Sequence, residues 1–380
     1  MVKQNPFVLE QFMDAHETGI EYNLGETCCS SLSIKELEIL CGEPFPLHEI
    51  VEQKLAYTWI KGSDRLRDLV AGSYQGIGRE DVVITNGAIG ANFLTLYALV
   101  GPGDHVIVVD PAYEQLSSVP KMFGAEVSLL KLSADENYIP NVDKLDQLSQ
   151  KNTKMIVINN PNNPTGSLIP TETMNAIVEI ARKTDAYVLS DEVYRPLFHS
   201  IPDSDIPPSI VEIYDKGIST GSMSKAYALA GIRLGWVVSK SREAIEECLS
   251  RRDFNTISVS CVDDIIACYA LKHKKSILKR NYELLLTNLQ ILQKFLDETK
   301  GQITCVLPKA GTTAFIRAET TASSMDFSLE LIKKYNTLIV PGETFGYPGY
   351  FRIGFGNTKE DLVHGLENFK TLLKEKPKNT

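Results

Sequence analysis

Lys225 lies in the run Ser222-Met223-Ser224-Lys225-Ala226-Tyr227-Ala228-Leu229-Ala230-Gly231-Ile232-Arg233, among small or apolar neighbours. Most lysines are solvated surface charges. One held in such company loses solvation, so its pKa is expected to fall and its amine to become a nucleophile fit for Schiff-base chemistry. Four other stretches carry groups that such chemistry needs. Asn159-Asn160-Pro161-Asn162-Asn163-Pro164-Thr165-Gly166 follows an apolar run. Its residues are turn formers, and an amide there could also hydrogen-bond a ring oxygen or a carboxylate. Ser190-Asp191-Glu192-Val193-Tyr194 offers a carboxylate to face a buried cation, with a phenol three residues on. An acid at a strand end serves equally as a helix cap. Asn86-Gly87-Ala88-Ile89-Gly90-Ala91 would let backbone N–H groups approach a phosphate, although glycine in such a turn is commonplace. Phe351-Arg352-Ile353-Gly354-Phe355 places an arginine inside an apolar strand. Its planar fork either clamps a carboxylate or snorkels from the core.

The elements that must position these groups lie mainly between residues 80 and 240. Short β-branched runs begin at Val82, His105, Val127, Met155, Tyr187, Gly217 and Trp236. Helical stretches, 88–100, 113–123 and 172–184, fall between them. The alternation predicts an α/β fold with a mostly parallel seven-stranded sheet sandwiched by helices, and a ligand crevice along its carboxyl edge. Long helical patterns follow over 243–252, 259–272 and 276–298. Strand-like runs at 304–306, 314–317, 338–340 and 351–353 then indicate a smaller α+β domain. The first forty residues show no sustained periodicity apart from a short helix over 34–41, and 24–27 reads as a turn or extended loop. No internal repeat or low-complexity tract is present.

Bulk composition narrows the function. The chain has 380 residues, 43% of them apolar and 23% charged, with 39 basic against 48 acidic side chains and a net charge of −9. That length predicts more than one domain. The acidic balance argues against nucleic acid or an anionic membrane as a partner. No apolar run reaches bilayer length, and the opening Met1-Val2-Lys3-Gln4-Asn5-Pro6-Phe7 lacks a signal-peptide core. The seven cysteines are scattered without a Cys-x-x-Cys pair, so neither a disulfide framework nor a metal site is expected, and the setting is read as cytoplasmic.

In order and spacing, these residues resemble a fold-type I pyridoxal-phosphate enzyme of the class I/II aminotransferase family. The match covers essentially the whole chain through Asn163-Pro164-Thr165-Gly166, Asp191-x-x-Tyr194, Ser222-x-x-Lys225 with Arg233, and Arg352. The resemblance implies pyridoxal 5'-phosphate bound through Lys225, which also shuttles the α-proton. Asp191 would keep the pyridine nitrogen protonated. Asn163 and Tyr194 would bond the cofactor's phenolic oxygen, and Tyr113 would stack on its ring. Gly87, Ala88 and Ile89, with Ser222 and Arg233, would hold the phosphate. Tyr57 would reach the phosphate of a neighbouring subunit, which requires a homodimer with shared sites. Arg352 would clamp the α-carboxylate, aided by Asn163 and the backbone at Gly25. The implied division is an N-terminal segment, 1–42, that joins the small domain, a large cofactor-binding domain, 43–275, and a connector helix with the small domain, 276–380.

Fold alone does not fix the reaction. Transfer of an amino group between an L-amino acid and a 2-oxo acid is the main expectation. Ile89 stands where some dicarboxylate-specific relatives carry a lysine, which lowers the expectation of an aspartate-specific enzyme. Ser224-Lys225-Ala226-Tyr227, Val340-Pro341-Gly342 and Tyr22-Asn23-Leu24-Gly25-Glu26 are similar to phrases of capreomycidine synthase, which cyclises a hydroxylated arginine. A β-eliminating or cyclising enzyme, such as a C–S lyase, is therefore the alternative. A non-catalytic regulator of this fold would carry a basic DNA-binding head, and none precedes residue 40.

Overall fold

The computed structural model describes residues 4–320 and 322–375, so the opening Met1-Val2-Lys3 of the signal-peptide reading lies outside the described residues. Seven strands form the main sheet: β1 (Val82–Thr85), β2 (His105–Asp110), β3 (Glu126–Lys131), β4 (Thr153–Asn159), β5 (Tyr187–Asp191), β6 (Gly217–Ser222) and β7 (Gly235–Ser239). Their order is β1-β7-β6-β5-β4-β2-β3. Every neighbouring pair is parallel except the two that involve β7. This is the mostly parallel sheet that the seven β-branched runs predict. Both faces are covered, and the period of two divides each run between them. Val83, Val106, Val108, Met155, Val157 and Leu189 enter one apolar cluster, while Ile84, Ile107, Val109, Ile156, Ile158 and Val188 enter the other.

Register brings the chemistry to one edge. Asn159 pairs with Asp191, Asp191 with Thr220, and Ser222 with Gly235, which also pairs with Thr85. The helix Gly87–Leu99 starts directly beyond Thr85, so its N-terminus faces the same crevice.

A second, four-stranded sheet follows: β8 (Ile303–Cys305), β9 (Thr313–Ala318), β10 (Val340–Pro341) and β11 (Tyr350–Gly354), in the order β10-β11-β9-β8. The single strand expected over 338–340 is divided. Thr337–Leu338 pairs in parallel with Tyr22–Asn23, whereas Val340–Pro341 joins β11. The chain changes sheets at the buried Ile339, which a continuous apolar run does not reveal. The N-terminal region also holds a helix that periodicity did not signal, Val8–His16. Leu9, Phe12 and Met13 give it one apolar turn at i, i+3 and i+4, and they pack on Leu338 and Val340. Nine residues are too few for that turn to stand out.

The 25-residue helix Lys274–Glu298 ties the parts together. Two buried asparagines seven residues apart share its inner face. Asn281 Nδ2 donates to the Ala226 carbonyl at 2.8 Å, beside Lys225, and Asn288 Nδ2 donates to the Phe355 and Asn357 carbonyls at 2.9 Å, just past Arg352. One rigid element thereby fixes the spacing of two chemical groups. No helix among the described residues is long and apolar enough to cross a membrane.

Candidate active site

A cavity of about 310 Å³ opens at the carboxyl edge of the main sheet. Of the residues singled out in the sequence, Gly25, Ala88, Ile89, Tyr113, Asn163, Asp191, Tyr194, Ser222, Lys225, Arg233 and Arg352 line it. Gly87 and Tyr57 do not. Gly87 is buried behind Ala88, and Tyr57 is 77% exposed in a separate surface segment.

Lys225 differs from its expectation. Its Nζ donates to Thr27 Oγ1 at 2.6 Å and to Cys28 Sγ at 3.4 Å, with Glu26 Oε1 at 3.9 Å. Burial works to lower the amine's pKa, but Cys28, Tyr194 and Glu26 favour the ammonium, and the net direction is upward. The quiet neighbours in sequence are not the neighbours in space, because residues 26–28 arrive from about 200 positions away. Burial opposes ionisation of Glu26 too. Lys225, Cys28 and the Thr27 N–H nevertheless hold its carboxyl at about 2. Burial pushes the Cys28 thiol up to about 11, so it is protonated at neutral pH.

Asp191 is buried at the end of β5. Burial raises its pKa to about 6, against hydrogen bonds from Asn92 and the Val193 N–H. Asn92 Nδ2 donates to Asp191 Oδ2 at 2.9 Å, and Asn92 Oδ1 accepts from Thr220 Oγ1 at 2.6 Å. Asn92 escaped the sequence reading, although a buried amide in a helix as apolar as Gly87–Leu99 is the available signal. Asn159 links the same strand end to the Asn-Pro loop, donating to the Asp191 carbonyl and accepting from the Asn163 N–H at 2.6 Å.

The anion end is built from close backbone approach. Gly87 has φ +70°, the helix it begins has no side-chain cap hydrogen bond from Asn86, and Ala88 and Ile89 of its first turn line the cavity. A Cβ on Gly235 would fall 2.4 Å from the Gly87 carbonyl carbon, which is why β7 needs glycine there. Arg233 stands over Gly87, and Ser222 and Ser224 complete this end. At the opposite end Arg352 is 3% exposed. Its Nη2 donates to the Gly25 carbonyl at 2.8 Å and its Nη1 to Asn163 Oδ1 at 3.3 Å. Between the two ends Tyr113 donates to Glu10 Oε1 at 2.7 Å.

These residues fit a phosphorylated aromatic aldehyde on an observation independent of any family. Tyr194 is 1% exposed, and among the described residues its Oη has no hydrogen-bond partner of good geometry, although Thr27 faces it. A buried phenol in that state calls for an acceptor or donor supplied from outside the chain. Uncapped helix amides with Arg233 suit a phosphate, and a buried carboxylate suits a protonated ring nitrogen. Fold and site together suit an enzyme that binds a phosphorylated carbonyl compound beside a partly buried lysine.

The model of the family "Aminotransferase class I and II" matches residues 46–369, and the chain belongs to that family. Capreomycidine synthase from Streptomyces vinaceus is 30% identical over 305 residues, covering 80% of this chain and 77% of that protein. An aspartate aminotransferase from Pyrococcus horikoshii is 32% identical, with 83% of each chain covered. The crystal structure of a PLP-dependent aminotransferase from Streptococcus suis superposes with a TM-score of 0.94 at 38% identity and covers 100% of both chains.

Proposed function

We propose that this enzyme, a pyridoxal-phosphate-dependent aminotransferase, works as a homodimer in the cytoplasm and moves an amino group between an L-amino acid and a 2-oxo acid at Lys225. The observation that carries the reading is Lys225 Nζ in one cavity with the buried Asp191, the unpartnered Tyr194 hydroxyl and Arg352. When bound, pyridoxal 5'-phosphate supplies an aldehyde that condenses with amines and a ring that takes up electrons from the α-carbon. Asp191 would hold a proton at the ring nitrogen. Tyr194 and Asn163 would hydrogen-bond the ring oxygen, and Tyr113 would lie against the ring. Ala88 and Ile89, with Gly87 behind them and with Ser222 and Arg233, would hold the phosphate. Arg352, fixed by Gly25 and Asn163, orients the α-carboxylate. Lys225 Nζ would carry a proton between the substrate's α-carbon and the cofactor's aldehyde carbon, which lie on either side of the transferred nitrogen.

The dimer reading is supported by an exposed apolar segment in which Leu47, Val51, Leu55, Tyr57, Trp59 and Ile60 all face solvent in the single chain. Tyr57 would reach the phosphate of the second subunit from there. For the chain's division we propose a large module over 43–275 and a small module over 276–380 joined by 1–42. The pairing of Tyr22–Asn23 with Thr337–Leu338 supports it. Cytoplasmic placement rests on the scattered cysteines.

A second reading, β-elimination or cyclisation, is favoured by the polar side chains of Glu26, Thr27 and Cys28, which crowd Lys225 and could contact a substrate group beyond the α-carbon. The two separate in one experiment. An amino acid added to the holoenzyme should convert the cofactor absorbance to that of its amine form and release one equivalent of 2-oxo acid. Ammonia, or a cyclised product, with the absorbance unchanged would reject transfer.

A further inference from the structure

The cavity above Lys225 has two walls of opposite chemistry. Its cationic side chains are Lys225, Arg233 and Arg352, each engaged at the cofactor or α-carboxylate positions. The other wall comes from the helix Val8–His16 and the loop beyond Asn23. It presents Leu9, Glu10, Met13, Glu17 and Glu26, three glutamates without an arginine or lysine among them. Among the described residues, Glu10 has only the neutral Tyr113 hydroxyl as a hydrogen-bonding partner. Glu17 makes no ion pair or side-chain hydrogen bond among the described residues, and burial with Glu26, Asp14 and Glu10 raises its pKa. Glu10 and Glu17 crowd together with no counter-ion among the described residues, while Glu26 faces Lys225. The cavity is a ligand site on separate grounds, because Tyr194 Oη and Arg352 Nε are both deeply buried and unpartnered.

We infer that this wall selects an L-amino acid with a cationic side chain, an ammonium or guanidinium on an aliphatic stem, and rejects a distal carboxylate. The inference rests on the amine-transfer reading of the same cavity. With Arg352 taking the α-carboxylate, a side chain directed away from it meets Leu9 and Met13 and then the glutamates. Apolar side chains accept the stem, and unpaired carboxylates accept the charge. A second carboxylate in that place would meet the uncompensated charges of Glu10 and Glu17 in a partly water-excluded space, where repulsion is stronger than in bulk water.

The test uses the holoenzyme in two measurements. Single-turnover spectra with L-ornithine, L-lysine, L-arginine, L-leucine, L-aspartate and L-glutamate should give a kcat/KM for the cationic set at least about tenfold above that for the two acids. Calorimetric binding of α-methyl-ornithine and α-methyl-aspartate, which have no α-proton to lose, should rank them the same way. Glu17→Lys, at an exposed position where folding is not threatened, should lower the ornithine-to-leucine kcat/KM ratio about tenfold. Tighter binding of α-methyl-aspartate, or a Glu17→Lys variant with an unchanged ratio, would overturn the inference and leave amine transfer standing. Preferential binding of α-methyl-ornithine with no 2-oxo acid from any amino acid would instead support the cation pocket and reject amine transfer.

Discussion

The two ends of the cavity are made in different ways. The cofactor end is continuous with the core: β5, β6 and β7 deliver Asp191, Ser222 and Gly235 in register, and the first turn of Gly87–Leu99 is packed against them. The substrate wall is laid on from outside by a nine-residue helix and a loop, and its polar groups are glutamates at or near the surface. Backbone at the first end cannot move without disturbing the sheet, whereas the second can change side chains at little cost in folding. Chemistry that must stay the same is therefore placed on strands, and recognition on an attachment.

The largest effect should come from the point where the two ends meet. Lys225→Ala removes both the nucleophile and the proton carrier, so single-turnover transfer should fall by at least about 10⁴-fold. The anion end is untouched, so the variant should still bind the cofactor, without the absorbance of the lysine adduct. An active variant would refute the assignment of Lys225.

Asp191→Asn examines the floor alone. Loss of a buried charge facing a ring cation should slow transfer by about 10²–10³-fold. It has a signature in the cofactor-free chain as well. Burial lifts Asp191 from 3.8 to about 6, so its contribution to stability is complete below 3.8 and is lost as pH rises through 6. That dependence corresponds to at most about 3 kcal/mol. Urea midpoints across pH 4–7 should show it in the parent and not in the variant.

Gly235→Ala tests whether the anion end depends on backbone approach. The added methyl would meet Gly87 and Ala88 at 2.4 and 2.6 Å. We expect a stability loss of about 1–3 kcal/mol, with cofactor affinity lowered about tenfold as the helix start shifts. Normal retention of the cofactor would mean that the phosphate is held elsewhere.

The same contrast governs what could be read from sequence. Strand-end groups were legible, because a buried β-run followed by an out-of-place Asp, Asn or Lys marks the carboxyl edge. Asp191, Asn163, Lys225 and Arg352 all line the cavity. Glu10, Glu17, Thr27 and Cys28 were given no chemical role, and Glu26 appeared only within a phrase of resemblance, because residues on an aperiodic segment acquire meaning only when the segment is placed in space. The upward direction at Lys225 has the same origin, since the charge and thiol beside it lie about 200 residues away. Asn281 and Asn288 stayed hidden because buried amides on a helix face carry no motif.

The smallest effect probes whether the substrate wall is under electrostatic strain. Glu26 is pulled in two directions: Lys225 and the N–H groups of Thr27 and Cys28 stabilise its charge, while Glu17 shares the cavity with it. Its carboxyl lies at about 2 against 4.5 when unfolded, so its stabilisation is complete above 4.5 and is lost as pH falls toward 2. With the side chain 39% exposed, solvent screening reduces the effect to about 1 kcal/mol or less. Urea midpoints should therefore show Glu26→Gln less stable than the parent at pH 6–7, with the gap narrowing at pH 4. A variant more stable than the parent at pH 7 would mean that repulsion from the other glutamates exceeds the attraction of Lys225. The two ends would then be in electrostatic conflict before substrate arrives.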